Sequence, residues 1–309
     1  MAASALVVGW VGTALPATAQ TSAPVPAANG AASAKPGFLW DARKGERRVT
    51  LVGTIHFGRI DFATLAPDIA ARMSSAAVLA VEADPSQAAK AAALLQQYAL
   101  LAPGEPALGE RLDPKLRARL DALVVRYNLV PQVVQRMKPW FVALNLVASE
   151  FTLRGLSPAH GTETVLLTAA QRDGRKVVEL EGIEAQFRLF DAAPAAVQMA
   201  YLEQTIRSIE SGAAEAEVRR IVDAWAARDF AAGERLMSTL QASAAKGPAE
   251  RFVVEQLFDG RHPRMLDEIE RLASSSAPPL VAVGALHYFG PNGLVAGLRN
   301  RGWTVTEVR

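Results

Sequence analysis

Two short apolar runs that end in glycine are the clearest repeated pattern along this chain. Residues 49–52 lead into Gly53, and residues 280–283 lead into Gly284. Near-continuous apolar runs of this length are typical of strands that are covered on both faces in a parallel α/β sheet, whereas strands that face water on one side alternate. The hydrophobic pattern therefore predicts two buried strands, each followed by a glycine turn.

A histidine stands three residues after each of these glycines. The segments read Gly-Thr-Ile-His-Phe-Gly from residue 53 and Gly-Ala-Leu-His-Tyr-Phe-Gly from residue 284, so the histidines are His56 and His287. Ligands of open α/β sheets bind at the carboxyl ends of the strands. One such histidine alone could equally fill a turn, but the repeated frame favours a site that both imidazoles share.

Two further apolar runs end in a carboxylate. Residues 78–81 lead into Glu82, and residues 177–180 lead into Glu181. If all four runs are parallel neighbours in one sheet, their ends bring two imidazoles and two carboxylates to the same edge. That is the composition of a hydrolytic site or of a metal site.

Between the predicted strands the chain is mainly helical. Capping residues, prolines and apolar periodicity predict helices over residues 86–101, 113–127, 140–153, 194–211, 213–228, 231–244, 264–273 and about 291–300, and a last strand over 303–308. This is more helix than connections between parallel strands require. We predict an α/β fold with a mainly parallel central sheet flanked by helices and a helical cap inserted between the two Gly-x-x-His halves.

The N-terminal residues differ in composition from the rest. Residues 1–19 are uncharged and mostly small or apolar, and they end in Ala-Thr-Ala, which is typical of a secretory signal peptide. Residues 20–36 are rich in Ala, Pro, Ser and Gly and are expected to form a disordered linker. We expect a protein that is secreted across the inner membrane into the periplasm and that has no stable membrane span.

The remaining residues, 37–309, are expected to form one domain with helical insertions over about 86–175 and 190–275. Half of all residues are apolar, which is ample for a core of that size. There are 33 basic and 31 acidic side chains, a net charge of +2, and no basic block. Nucleic acid is therefore not an expected partner.

Several common reaction types lack their sequence signatures. The chain has no cysteine, which excludes a cysteine nucleophile. No Gly-x-Ser-x-Gly segment, P-loop or Gly-x-Gly-x-x-Gly turn occurs, which argues against a serine hydrolase of the α/β-hydrolase type and against nucleotide cofactors.

Residues 53–56, 180–186 and 283–308 together resemble the TraB/GumN family. This family is related to the TIKI proteases and more distantly to erythromycin esterases and the haem-binding ChaN proteins. The resemblance covers about residues 38–309. It implies a hydrolase in which both Gly-x-x-His histidines and a strand-end glutamate form the active site. The TIKI-like relatives are metal-dependent proteases, whereas the esterase-like relatives are thought to use histidine and glutamate without metal.

The resemblance also assigns residues. It implies that His56, His287 and Glu82 occupy the motif positions and that Glu181 is a recurrent acid. It further implies that Arg261 corresponds to an arginine that recurs among members of the family.

Two positions depart from the family pattern. In the family this arginine is usually followed by asparagine, and in this chain the next residue is His262. A family Gly-x-Asp reads Gly161-Thr162-Glu163. His262 and His160 lie among polar, loop-like residues, so we expect both to be solvated.

The resulting hypothesis is a divalent metal site. His56, His287 and Glu82 would hold zinc, manganese or cobalt, which would polarise a carbonyl group and activate a bound water. Glu181 or Glu82, whichever is not a metal ligand, would be the general base, and Arg261 would stabilise the developing oxyanion. The expected substrate is a peptide or a small molecule that contains an amide bond, while the patterns specify neither the exact substrate nor the oligomeric state.

Three alternatives remain open at this point. The first is a metal-free, esterase-like hydrolase in which one histidine, paired with Glu82, activates water. The second is a periplasmic protein that binds haem or a metal through the same histidines. The third is a family member without activity that serves as an interaction module.

Overall fold

Six strands form one mixed sheet in the described part of the chain, which comprises residues 36–84, 88–273 and 277–309 of a computed structural model. The strands are β1 (Phe38–Lys44), β2 (Arg47–Thr54), β3 (Leu79–Val81), β4 (Val177–Glu179), β5 (Leu280–Gly284) and β6 (Thr304–Glu307). Their spatial order is β4-β3-β5-β2-β1-β6. The predicted signal peptide and nearly all of the predicted linker lie outside the described residues.

The four strands predicted from the apolar runs are parallel neighbours. Strand β2 pairs with β5 so that Thr54 lies beside Gly284, β5 pairs with β3, and β3 pairs with β4. Their carboxyl ends therefore reach the same edge of the sheet. The predicted α/β fold with a mainly parallel central sheet is confirmed.

The sequence patterns do not predict strand β1, which forms an antiparallel hairpin with β2. A two-residue turn, Gly45 and Glu46, connects the two strands. Gly45 has a φ of +59°, a conformation that tight hairpin turns need and that glycine adopts without strain. Strand β1 also pairs antiparallel with β6, so the sheet ends in antiparallel pairing on this side.

The described residues contain these α-helices: α1 (Pro67–Ser75), α2 (Ala88–Leu94), α3 (Pro114–Arg126), α4 (Pro131–Val134), α5 (Pro139–Leu153), α6 (Thr162–Arg172), α7 (Ile183–Asp191), α8 (Ala195–Glu210), α9 (Ala213–Ala226), α10 (Phe230–Ser243), α11 (Pro248–Phe252), α12 (His262–Leu272) and α13 (Leu294–Asn300). The predicted helices over 113–127, 140–153, 194–211, 213–228, 231–244 and 264–273 correspond to α3, α5, α8, α9, α10 and α12. Helices α7 and α11 are not among the predicted helices.

Helices cover both faces of the sheet. On one face Val52 and Val81 belong to an apolar cluster with Ile69 of α1 and Leu166 of α6. The opposite face belongs to a larger cluster that includes many residues of the helices between β3 and β5. Within the described ranges, no helix combines the length and the apolar character needed to cross a bilayer.

The loop after β2 is held against the start of α6. The N–H of Thr162 donates to the carbonyl oxygen of Ile55 at 2.9 Å. A Cβ atom on Gly161 would lie 2.3 Å from the carbonyl oxygen of His56, so only glycine allows this approach. The contact brings the first turn of α6 beside the His56 loop.

We expect Gly161→Ala to lower the free energy of unfolding by about 2 kcal/mol or more, because the new methyl group meets backbone atoms that cannot move aside without shifting the loop. Urea unfolding measures the change. Gly247→Ala is the matched control, since a Cβ there meets only the mobile carboxylate of Glu250, at 2.9 Å. Equal losses in the two variants would contradict the close contact at Gly161.

Candidate active site

Four of the predicted site residues are joined by direct hydrogen bonds at the carboxyl edge of the sheet. Glu82 follows β3 directly, and Glu181 and His287 lie two and three residues beyond β4 and β5. Arg261, which is bonded to all three, comes from the turn before α12. His56 lies two residues beyond β2, close enough to Glu82 and Arg261 for their charges to act on it.

A buried arginine joins the two strand-end carboxylates. Nη2 of Arg261 donates to Oε2 of Glu82 and to Oε2 of Glu181, both at 2.5 Å, and Nε donates to Oε1 of Glu181 at 3.1 Å. Arg261 is only 5% exposed and Glu82 only 1%. Burial alone would lower the pKa of Arg261, but the two carboxylates outweigh burial and raise it, so the guanidinium stays charged.

Backbone groups hold the carboxylates in position. Oε1 of Glu82 accepts a hydrogen bond from the N–H of Gly284 at 2.6 Å. The carbonyl oxygen of Glu82 accepts from the N–H groups of Glu181 at 3.2 Å and Gly182 at 3.0 Å. Gln186 of α7 donates to Oε2 of Glu82 at 3.4 Å. The first glycine of the second Gly-x-x-His segment thus fixes a carboxylate from the neighbouring strand.

Every N–H group of Arg261 has a partner. In addition to the carboxylate bonds, Nη1 donates to the carbonyl oxygen of Leu257 at 3.2 Å and to Nε2 of His287 at 3.1 Å. These bonds use all five donors of the guanidinium. The role predicted for Arg261, stabilisation of an oxyanion, would require one of them to break.

Hydrogen-bond partners fix the tautomers of two buried histidines. The carbonyl oxygen of Asn292 can only accept, so Nδ1 of His262, at 2.7 Å, carries the proton. Nε2 of His262 then accepts from Nδ1 of His287 at 2.9 Å. Nε2 of His287 is therefore an acceptor, as its bond from Arg261 requires. Both imidazoles are neutral in this chain of bonds.

The prediction that His262 is solvated is wrong, because its side chain is 2% exposed. The polar residues before it look like a loop, but His262 begins α12 and packs against His287. Burial lowers the pKa of His262 to about 4. Burial, followed by the charge of Arg261, also lowers the pKa of His287 well below its usual value.

His56 has a different environment. Its Nδ1 lies 2.5 Å from Oε2 of Glu163, the second residue of α6, and both residues are buried. Nε2 of His56 has no hydrogen-bond partner in the described part of the chain. Burial alone would lower the pKa of His56, but Glu163, with a smaller contribution from Glu82, raises it above the ordinary value. Neutral His56 thus combines an oriented ring with an unused lone pair.

These contacts bear on the predicted metal ligands His56, His287 and Glu82. Both ring nitrogens of His287 and both oxygens of Glu82 already take part in hydrogen bonds. The cationic side chain of Arg261 lies at the nitrogen of His287 that a divalent ion would need. Among the described residues, no group of three or more His, Cys, Asp or Glu side chains could hold a metal ion. The donor atoms as arranged do not fit zinc, manganese or cobalt.

Comparisons with known proteins point to one family. The model of the TraB/PrgY/gumN family matches residues 38–307. A protein of Escherichia coli (strain K12) that is named Uncharacterized protein YbaP is 27% identical over 266 residues, which are 82% of this chain and 89% of the relative. The protein of the same name from Shigella flexneri gives the same values. No solved structure matches this chain.

The two residues that depart from the family pattern are the partners of the two motif histidines. Glu163 stands in the Gly-x-Asp position and contacts His56, and His262 stands in the asparagine position and contacts His287. Both positions are recognisable in the sequence as parts of motifs. The contacts themselves are not recognisable in the sequence. Glu163 lies on α6 and His262 on α12, and only tertiary packing brings these helices to the ends of the strands.

We expect the buried neutral histidines to reduce stability in acid. An unfolded histidine takes up a proton near pH 6.5, whereas the pKa of folded His262 is about 4. As the pH falls from 6.5 to 4, the unfolded state gains a proton that the folded state does not bind. The free energy of unfolding should fall by on the order of 3 kcal/mol from His262 alone.

Urea unfolding across this pH range, with His262→Gln for comparison, measures the effect. The glutamine keeps an acceptor for His287 but has no proton to gain, so the variant should lose less stability in acid. The raised pKa of His56 acts in the opposite direction, stabilising the fold at low pH, and is common to both proteins. Parallel pH profiles for the two proteins would contradict a buried neutral His262.

Proposed function

The chain belongs to the TraB/PrgY/gumN family, and we propose that it is a hydrolase in which His56 is the general base. The observation that carries this proposal is the buried contact of His56 with Glu163, which leaves Nε2 of the imidazole without a partner in the described residues. An imidazole oriented by a buried carboxylate is suited to take a proton from an attacking oxygen.

In the proposed reaction, Nε2 of neutral His56 removes a proton from a water molecule while the water oxygen attacks the carbonyl carbon of an ester or amide. The carboxylate of Glu163 stabilises the imidazolium that forms. When the tetrahedral intermediate breaks down, His56 returns the proton to the leaving oxygen or nitrogen. The products are a carboxylic acid and an alcohol or amine.

The hydrogen bonds favour His56 over the bases expected from the sequence, Glu82 and Glu181. Both carboxylates are paired with Arg261, and a proton on either would weaken a buried ion pair. The other imidazole, His287, uses Nε2 to accept from Arg261. We propose that the arginine and its partners form a fixed polar base for the site, while His56 carries out the proton transfer.

The proposed substrates are esters or amides of peptides or small molecules. His56 is 6% exposed, so the reacting carbonyl group has to reach a nearly closed position. A metal-dependent reaction, as in the TIKI-like relatives, would require Arg261 to release His287 first. The proposal therefore favours the metal-free alternative, in which the partner of the active histidine is Glu163 and not Glu82.

We expect the wild-type protein to hydrolyse p-nitrophenyl acetate in the presence of EDTA. His56→Ala and Glu163→Gln should each lower kcat/KM by about 10²- to 10⁴-fold, the usual contribution of a general base. Glu163→Gln also removes the charge that raises the pKa of His56. The acid limb of the pH profile of its residual activity should therefore shift to lower pH.

Glu184→Gln is the matched control, because Glu184 is the second residue of α7 as Glu163 is of α6, but pairs with Arg188 near the surface. Its activity should equal that of the wild type. Full activity in His56→Ala would contradict the proposal. So would activity that EDTA abolishes and that zinc, manganese or cobalt restores.

We also propose that the hydrolase acts in the periplasm. The support is the composition of residues 1–19, which lie outside the described part of the chain. Mass spectrometry of protein from the periplasmic fraction should find a mature chain that begins at Gln20. A chain that keeps residues 1–19 and stays in the cytoplasmic fraction would contradict export.

A further inference from the structure

A hydrolase of this kind needs donors for the negative charge that develops on the substrate carbonyl oxygen. Arg261 does not supply them, because its five N–H groups are bonded to Glu82, Glu181, Leu257 and His287. The start of α6 and the end of β2, which meet beside the imidazole, carry other candidates.

Two buried hydroxyl groups lie in these two segments without a partner. Oγ1 of Thr54 and Oγ1 of Thr162 have no hydrogen-bond partner in the described part of the chain, as is true of Nε2 of His56. The two threonines are 1% and 3% exposed. A hydroxyl at such a position loses its bonds to water and gains none in the protein, so it lowers the stability of the unliganded fold.

The positions of the two hydroxyls agree with a common ligand. Thr54 is the last residue of β2 and Thr162 the first of α6, and the N–H of Thr162 donates to the Ile55 carbonyl at 2.9 Å. Side chains two residues apart on a strand share a face. Thr54 therefore shares the face of Val52, which belongs to the apolar cluster that contains Leu166 of α6.

The first turn of α6 adds backbone donors. The N–H of Thr162 is bonded to Ile55 and that of Val165 to the carbonyl of Gly161. The N–H groups of Glu163 and Thr164, which lie between them, have no partner within the helix. The positive end of the helix dipole lies at the same end of α6 as these N–H groups.

We propose that the hydroxyls of Thr54 and Thr162, together with the N–H groups of Glu163 and Thr164 at the start of α6, bind the carbonyl oxygen of an ester or amide and the oxyanion that forms from it. This assignment rests on the proposed function. When His56 takes the proton from water, its positive charge offsets the negative charge of Glu163. The oxyanion is then the charge that needs donors, and two hydroxyls beside the helix start supply them.

Thr54→Val and Thr162→Val, made singly and together, remove the hydroxyls with little change of shape. With p-nitrophenyl acetate, kcat should fall by about 10²-fold for each hydroxyl, with a smaller change in KM. The melting temperature should stay equal or rise, because each valine removes a hydroxyl without a partner. Thr205→Val is the control: Thr205 is also buried, but its hydroxyl donates to the carbonyl of Tyr201 at 2.9 Å. It should keep kcat and lower the melting temperature.

Each outcome separates the two proposals. Unchanged kcat in the double variant, with His56→Ala inactive, would overturn the oxyanion assignment and leave the base assignment intact. Activity retained in His56→Ala would overturn the proposed function itself. A melting temperature that falls in Thr54→Val or Thr162→Val as it does in Thr205→Val would mean that the hydroxyl has a structural partner, which would also overturn the assignment.

Discussion

A guanidinium held between two carboxylates at the edge of the sheet is the interaction on which the rest of the site depends. Because β3 and β4 are parallel neighbours, they bring the buried Glu82 and the side chain of Glu181, which is 7% exposed, next to each other. The repulsion between two such negative charges has to be offset by a cation that lies between them. Arg261 supplies it from the chain before α12, so the ion pairs also join the helical insertion to the sheet. Its planar fork is suited to several acceptors at once.

The same cation gives different roles to two histidines that stand in the same sequence frame. Nε2 of His287 accepts from Arg261, and its other nitrogen is held by His262, so this ring is a neutral structural element. His56 has a carboxylate on one nitrogen, Glu163, and no described partner on the other. A repeated motif thus provides one imidazole that orients the arginine and one that is available for proton transfer. A metal site would use the two imidazoles in the same way, as ligands, whereas their hydrogen bonds in this structure differ.

The sequence predicts the sheet edge better than the contacts formed there. Near-continuous apolar runs are local signals, and the direction of parallel strands then determines that Glu82, Glu181 and the two motif histidines reach one edge. Which atoms bond to which depends on helices such as α6 and α12, whose packing is set by contacts between residues distant in the chain. His262 illustrates the difference, since a polar local sequence predicts solvent exposure and tertiary packing buries it. Strand β1 has one local signal, the glycine at its turn, but its residues Phe38–Lys44 do not form a continuous apolar run.

The protonation states of the four histidines distinguish a site with one structural and one reactive imidazole from a site in which both imidazoles hold a metal. Long-range ¹H–¹⁵N NMR spectra recorded across pH 4.5 to 9 would report the tautomer and the titration of each ring. We expect His262 to stay neutral with the proton on Nδ1 down to about pH 5 and His287 to have a pKa well below the ordinary value of about 6.5, while the pKa of His56 lies above it. A His287 ring that titrates near 6.5, or one equivalent of zinc that shifts the nitrogen signals of His56 and His287 together, would contradict this expectation.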